Sequence, residues 1–298
     1  MRGIDLDDLS AFAVVARHRN FRAAARERGV SPSTLSQQVR DLEERLGTRL
    51  LHRTTRSVAP TETGSRLLDR LGPALSDIAA AVDQVHAAGG EPAGTLRINA
   101  PAPALELVIA PLVAPFLAAH PHVRLDLVGQ TELVDIVEAG FDAGIRWGEH
   151  LAQDMVAVPF GGEQRFIVAA APSLLARTGT PKEPADLLSL PCIRQLFPGG
   201  VRPLWEFEKD GKTVRIDPDG PLVSNNLALQ TRAALDGVGF QATFEEYLSD
   251  HIAAGRLVSV LDDWCPKFPG PFLYYPSRRN LPTPLRAFVD FVKAARSG

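Results

Sequence analysis

Apolar residues recur at steps of three and four through the first fifth of the chain. Over 5–17 the stripe Leu6, Leu9, Phe12, Ala13 and Ala16 predicts a helix. Asn20 can cap a second, short one, "FRAAARERG", which Gly29 ends. Ser31 caps a third with Pro32 at its first position, and Leu35, Val39, Leu42 and Leu46 form its apolar stripe. At about 100° per residue, Ser33, Gln37 and Arg40 fall on the opposite face, flanked by Thr34 and Ser36. A short helix, a tight Gly turn and a longer helix with a polar face is helix-turn-helix organisation. Ser, Thr and Gln both donate and accept hydrogen bonds, and Arg forks onto guanine or phosphate, so this face suits a DNA major groove. The bland alternative for Arg40 is an intrahelical pair with Glu44.

Gly47 stops that helix, and "TRLLHRTTRSVAPT" then offers two short extended pieces, a wing with Arg49, Arg53 and Arg56 available to phosphates. From Thr61 to about Ala88 the residues Leu67, Leu68, Leu71, Leu75, Ile78, Ala79, Val82 and Val85 make a long helical stripe that wants a partner, most simply its own copy. "AAGGEPAG" at 87–94 marks a domain boundary. Beyond it the pattern alternates. "TLRINA", "VRLDLVG", "FDAGIRWG", "RFIVAA", "CIRQLF", "LVSNN", "GFQATF" and "PFLYYP" predict strands. "ALELVIAPLVAPFLAAH", "LVDIVEAG", "SLLART", "LALQTRAALDG" and "PLRAFVDFVKAAR" predict helices. That order implies a mostly parallel α/β domain.

Charge sharpens the division. Residues 1–70 carry 13 Arg and no Lys against 9 Asp and Glu, whereas the whole 298-residue chain has a net charge of −3. A basic front on an acidic remainder suggests a polyanion-binding part joined to a part with another task. No apolar run approaches the roughly 18–20 residues of a membrane helix, and the N-terminus lacks a signal peptide's basic-then-apolar order. The expectation is a cytoplasmic, nucleoid-associated protein with no membrane partner. Cys192 and Cys265 are no disulfide framework, and a redox pair needs their Cα atoms within about 7 Å.

The run "FRAAARERGVSPSTLSQQVRDLEERLGTRLLHRTTRSVAPTETG" closely resembles the winged helix-turn-helix of LysR-type transcriptional regulators. "GTLRINAP", "DAGIRWG", "VSNNLALQTRAALDGVGF" and "YYPSRR" match their effector domain, so the resemblance covers essentially the whole chain. It implies an α/β protein in three parts: a winged helix-turn-helix (1–60), a dimerising linker helix (61–90) and a periplasmic-binding-protein-like effector domain (91–298). The last would have two lobes, one of 95–163 with 267–298 and one of 164–266, with a ligand cleft between them. The implied partners are double-stranded promoter DNA, a small-molecule effector, RNA polymerase and further copies of the chain as homodimer and homotetramer. No cofactor is implied beyond the co-inducer.

Carried over residue by residue, the DNA candidates are Ser33, Thr34, Ser36, Gln37, Arg40, Arg53 and Arg56. The effector candidates lie at strand-to-helix junctions, where helix N-terminal N–H groups favour anions. They are Asn99, Ala100, Pro101 and Ala102; Gln130 and Thr131; Arg146 and Trp147; Ser224, Asn225 and Asn226; and Gln241 to Thr243. Trp147, Phe197 and Phe244 could add an apolar or aromatic wall, against core packing as the alternative for each. Family members often carry Ser or Thr just after the first strand. Here the stretch is "NAPAPA", without a hydroxyl and with two prolines lacking N–H groups. That weakens carboxylate capture and favours a small, fairly apolar or aromatic effector.

Other chemistry is thinly represented. "GVGFQA" at 237–242 has the loose form of a dinucleotide fingerprint, but a helix precedes it and a strand follows, the reverse of what pyrophosphate binding needs. "HPH" and "HLAQD" lie on apparent surface turns rather than in a metal-ligand pattern. A small-molecule transport protein would explain the α/β part but not the basic front. An enzyme would need a catalytic constellation, and none is visible.

Overall fold

The computed structural model describes residues 4–53, 58–86, 91–130, 135–136, 139–148, 155–277 and 281–297. They divide into two compact units, Met1–Val158 with Phe272–Gly298, and Pro159–Pro271.

The first unit begins with three helices: α1 Leu6–His18, α2 Phe21–Arg28 and α3 Pro32–Leu46. Their ends are set by side chains that satisfy the orphan amides of a first turn. Asn20 accepts from the N–H of Arg22 and Ala23 at 2.8 and 3.2 Å, and Ser31 Oγ from Thr34 at 3.1 Å. Gly29 and Gly47 close α2 and α3 at φ +66°, where an L side chain would be strained. Leu35, Val39 and Leu42 are fully buried against Ala11, Phe12 and Val15.

α1 keeps most of its expected stripe, with Phe12 and Ala16 buried and Leu9 and Ala13 partly buried against the same core. Leu6 stays 45% exposed, and the buried face is Asp8, Ala11, Phe12, Val15 and Ala16. A carboxylate holds a place on that face because Arg45 Nη2 of α3 reaches it at 2.6 Å and Gln38 Nε2 at 3.3 Å. A stripe drawn from apolar residues alone cannot include it.

After α3 come β1 Leu51–Arg53 and β2 Val58–Pro60, paired antiparallel with Leu51 opposite Pro60. Between them 54–57, with Arg56, lies outside the described residues. α4 Glu62–His86 follows. Thr61 ties its start to the wing: its Oγ1 accepts from Gly64 N–H at 3.0 Å and donates to the Arg49 carbonyl at 2.9 Å. Gly64 lies so close to the wing that a Cβ there would sit 2.1 Å from the Leu50 carbonyl oxygen. Leu68 and Leu71 bury into the three-helix core, whereas Ile78, farther along, is 42% exposed. The side chains of Ala79, Val82 and Val85 lie outside the described residues.

The same unit holds a five-stranded sheet in the order β4-β3-β5-β15-β6. Its strands are β3 Gly94–Ala100, β4 Val123–Gly129, β5 Ala143–Arg146, β6 Met155–Pro159 and β15 Phe272–Pro276. β3 pairs parallel with β4 and β5, and β15 runs antiparallel to β5. The helix after β3 is wound as a π-helix over Ala104–Ile109 before becoming α5, Ala110–Ala119. Pro111 and Pro115 have no N–H to give, and the amide of Ala110 reaches back five residues to the Leu105 carbonyl. The C-terminal helix α9, Thr283–Ser297, buries Leu285, Phe288 and Val292, and Phe288 meets Phe116 edge-on at 5.1 Å. The expected helix "LVDIVEAG" falls largely outside the described residues.

In the second unit β7 Gln164–Ala170, α6 Pro172–Thr178, β8 Cys192–Gln195, β9 Trp205–Lys209, β10 Lys212–Ile216 and β11 Leu222–Ser224 are followed by α7 Leu227–Leu235, β12 Phe240–Phe244, α8 Glu245–Ala253, β13 Val258–Val260 and β14 Lys267–Phe268. The sheet order is β11-β8-β12-β7-β13, with β14 also on β7. β8 is parallel to β11 and β12, but β7 is antiparallel to β12, β13 and β14. The sheets are therefore mixed, not mostly parallel. Alternation of strands and helices sets the order of elements but not the direction of a strand that enters a unit from elsewhere, as β7 and β15 do. One face of this sheet packs Val168, Cys192 and Phe240 against Trp205 and Phe207 of the β9–β10 hairpin; the other packs Ile167, Ala169 and Ile193 under Ala234 of α7 and Leu248 of α8.

Gly64→Ala drives a methyl group into the Leu50 carbonyl. It should cost on the order of 1–3 kcal/mol, read as a lower melting temperature together with weaker DNA binding.

Candidate nucleic-acid interface and effector site

With its apolar stripe buried, α3 presents Ser33, Thr34, Gln37 and Arg40 as exposed side chains. Neighbours hold each of them. Ser31 Oγ lies 2.8 Å from the hydroxyls of both Ser33 and Thr34. Gln37 Nε2 donates to Asp41 Oδ1 at 2.7 Å. Arg40 Nη2 donates to Ser36 Oγ at 3.2 Å and not to Glu44, so the intrahelical ion pair weighed above does not form.

Arg53 is placed differently from a free wing cation. Its Nη2 donates to Glu43 Oε2 at 2.8 Å, its Nη1 to Ser36 Oγ at 3.3 Å, and its guanidinium lies 5.1 Å from the Phe21 ring centroid. Burial lowers its pKa, Glu43 opposes that, and the nearby positive charges of Arg40 and Arg49 add to the lowering. The other oxygen of Glu43 accepts the N–H groups of Leu50 and Leu51 at 2.8 and 3.0 Å. Arg53 thus ties the wing to the recognition helix. Exposed Arg49 remains beside the wing, and Arg56 lies outside the described residues.

In the sheet of the first unit the effector candidates converge in part. Register puts Asn99 beside Val128 of β4 and Gly144 of β5, at the carboxyl ends of the parallel strands. Arg146 Nη2 donates to Asn99 Oδ1 at 2.6 Å, and Asn99 Nδ2 donates to Gln130 Oε1 at 2.8 Å. Asn99 and Arg146 are both buried, and Trp147 next to Arg146 is half-buried. Ala100 and Pro101 are buried and Ala102 is exposed. The helix start there is a poor anion site, because Pro101 and Pro103 carry no N–H and Ala104 N–H folds back onto the Pro101 carbonyl at 3.0 Å. Thr131 lies outside the described residues.

In the second unit Ser224 ends β11. Its Oγ accepts from Asn226 N–H at 3.0 Å, and its carbonyl from Gln230 Nε2 at 2.6 Å. Gln230, 2% exposed, also donates to Gln195 Oε1 at 2.7 Å. Asn226 caps α7 through Leu229 N–H at 2.9 Å, and Asn225 is exposed between them. Thr243 is buried on β12, and Phe197 is 38% exposed in a turn closed by its amide on the Val201 carbonyl. The Phe244 ring lies tilted against Phe166 at 4.3 Å, and Phe268 stacks on Phe166 at 5.7 Å. The sequence reading missed Gln195, Gln230, Phe166 and Phe268. Gln230 sits among the polar residues of an amphipathic helix, and the rings are brought together only by strand pairing.

No group of His, Cys, Asp and Glu able to hold a metal occurs among the described residues. His120 packs on the Phe116 ring and His122 pairs with Glu91, while "HLAQD" falls largely outside the described residues. "GVGFQA" joins α7 to β12, the helix-then-strand order expected. Cys192 and Cys265 are free and buried in one core, and burial pushes their pKa values up to about 12 and about 11.

A buried-stripe recognition helix, a two-stranded wing, a long following helix and a mixed α/β domain define a winged helix-turn-helix regulator. Residues 6–65 match the family described as bacterial regulatory helix-turn-helix protein, lysR family, and residues 89–297 match the LysR substrate binding domain. The chain belongs to the LysR-type transcriptional regulators, with a DNA-binding helix-turn-helix and an effector-binding domain. It is 37% identical over 293 residues to an uncharacterised HTH-type transcriptional regulator, YcaN, of Escherichia coli K12, covering 98% of this chain and 96% of YcaN. It is 36% identical over 294 residues to the HTH-type transcriptional regulator PgrR of the same organism, covering 98% of each. Among solved structures it is similar to CrgA of Neisseria meningitidis, with 28% identity, a TM-score of 0.59 and coverage of 99% and 100%. The fold is also that of the Vibrio cholerae virulence activator AphB, at 24% identity, a TM-score of 0.65 and coverage of 98% and 99%. No helix among the described residues is long and apolar enough to cross a membrane.

Glu43→Ala leaves the amides of Leu50 and Leu51 and the Arg53 guanidinium without their acceptor. It should cost about 1–3 kcal/mol. Arg53→Ala should also lower the melting temperature, an effect that a purely phosphate-contacting arginine would not have.

Proposed function

We propose that α3 reads promoter DNA through Ser33, Thr34, Gln37 and Arg40 in the major groove, with Ser36 supporting Arg40. The observation that carries this reading is the exposed polar face of a helix whose opposite face buries Leu35, Val39 and Leu42 in the core. Arg49 and Arg56 supply phosphate contacts. Arg53 contributes positive charge near the groove but acts chiefly by fixing the wing. The apolar stripe of α4, on which Ile78 is exposed, pairs with its own copy in a homodimer, and dimers associate into tetramers. Two-fold protein symmetry then calls for paired half-sites about one helical turn, or a multiple of it, apart. The protein acts by binding, without a catalytic step, on nucleoid DNA in the cytoplasm.

The effector is a small organic molecule, aromatic or fairly apolar, with a hydrogen-bonding group. Support comes from the weak anion site at "NAPAPA" and from the neutral side chains at the carboxyl ends of the parallel strands: Asn99 and Gln130 in one unit, Ser224 and Gln230 in the other. Arg146 supplies a charged donor beside Asn99. Ligands of open α/β sheets bind at such strand ends. Effector binding shifts the population of regulatory-domain states by its differential affinity, and with it the geometry of dimers on DNA and the access of RNA polymerase.

Binding to labelled DNA from upstream of the protein's own gene, repeated at rising salt, tests the first part. A sequence-selective component should persist after non-specific binding is competed away. The double change Gln37→Ala, Arg40→Ala should remove it, at about 1–3 kcal/mol per lost base contact. Unchanged selectivity would show that another surface reads the bases. For the effector, a thermal-shift screen should find stabilisation of about 2.7 kcal/mol at a hundredfold excess over Kd among aromatic or apolar compounds. Stabilisation by multiply charged acids alone would overturn the assignment.

A further inference from the structure

The Gln37 amide has two chemically opposite ends, an oxygen that only accepts and an NH2 that only donates. Which end faces outward decides which base edge it can read. Here the choice is made inside the helix. Asp41, one turn on, accepts from Gln37 Nε2 at 2.7 Å. A carboxylate has no proton to offer, so turning the amide over would lose that bond and set oxygen against oxygen. Oε1 and the second N–H are thereby left for the exposed side of the side chain. An acceptor beside a donor matches the N6–H2 and N7 of adenine, whereas guanine presents two acceptors, N7 and O6. Neighbouring groups do not compete for the amide, since Ser33 and Thr34 lie on Ser31 and Arg40 lies on Ser36.

We infer that Asp41 is a positioning residue for Gln37, and that the pair selects adenine at one base of each half-site. The inference rests on the reading of α3's outward face as the base-reading surface. Asp41 also brings a negative charge to a helix that approaches phosphates. A purely electrostatic account therefore predicts that removing it strengthens binding to every sequence and alters no preference.

The test is selection of bound sites from a random double-stranded DNA library by the full-length protein. Wild type, Gln37→Ala, Asp41→Ala and Asp41→Asn are compared, with melting temperature and affinity for non-cognate DNA measured for each. Wild type should enrich adenine at one position by about fivefold or more, and Gln37→Ala should flatten that position alone. Asp41→Ala should reduce the same preference at least about threefold, with an unchanged melting temperature and equal or higher non-cognate affinity. Asp41→Asn, whose amide can donate as well as accept, no longer opposes the turned-over Gln37 amide and should weaken the preference as Asp41→Ala does.

If wild type enriches no motif, or Gln37→Ala leaves every position intact, the base-reading surface itself is misassigned. If Gln37→Ala flattens a position and Asp41→Ala does not, the positioning role falls. It falls also if Asp41→Ala weakens all positions together with a lower melting temperature. Enrichment of another base at the Gln37-dependent position overturns the adenine assignment.

Discussion

The carboxylate of Glu43 holds the DNA-facing end together. One oxygen accepts the backbone N–H groups of Leu50 and Leu51, the other the Arg53 guanidinium, and all three partners lie where the chain leaves α3 and starts the wing. A carboxylate that accepts several N–H groups at once is a strong, directional anchor. Helix and wing are thereby fixed to one another before DNA is met. Less ordering is then left to the binding event, where it would weaken affinity. Thr61 and Gly64 continue the same logic into α4, whose first turn is pressed against the Leu50 carbonyl.

The regulatory part is built on a different constraint. Its sheets are mixed, and β3, β4 and β5 in one unit and β8, β11 and β12 in the other run parallel, so their carboxyl ends lie side by side. Buried Asn99, Arg146 and Gln230 are bonded in short chains: Arg146 to Asn99 to Gln130, and Gln230 to Gln195 and Ser224. Such chains satisfy groups that would be costly to bury alone. They also hold donors and acceptors in fixed directions. The two thiols stand apart from this chemistry, buried and protonated in the core under the β9–β10 hairpin.

Much of the DNA-facing end was legible along the chain because local rules write it. Asn20, Ser31, Pro32, Gly29 and Gly47 act on their own backbone within a few residues, and the stripe of Leu35, Val39 and Leu42 follows from helical period alone. The reading failed where a distant partner decided the outcome. Asp8 is accommodated inside because Arg45 reaches it across the helix pair. Arg53 looked like a wing cation until Glu43, ten residues earlier, claimed it.

By itself, then, the sequence determined α1 to α4, the wing strands and most helices and strands of the α/β part, but it did not show β6, β9, β10, β13, β14 or α8. The elements it determined rest on periodicity, capping and turn chemistry, which act over a few residues. Only the tertiary structure decided which strands run antiparallel, that α1 buries Asp8, and which polar groups meet at the strand ends. It also set Phe166 beside Phe244. Those outcomes depend on geometry between side chains, in some cases between residues far apart in the chain, and neither composition nor spacing encodes it.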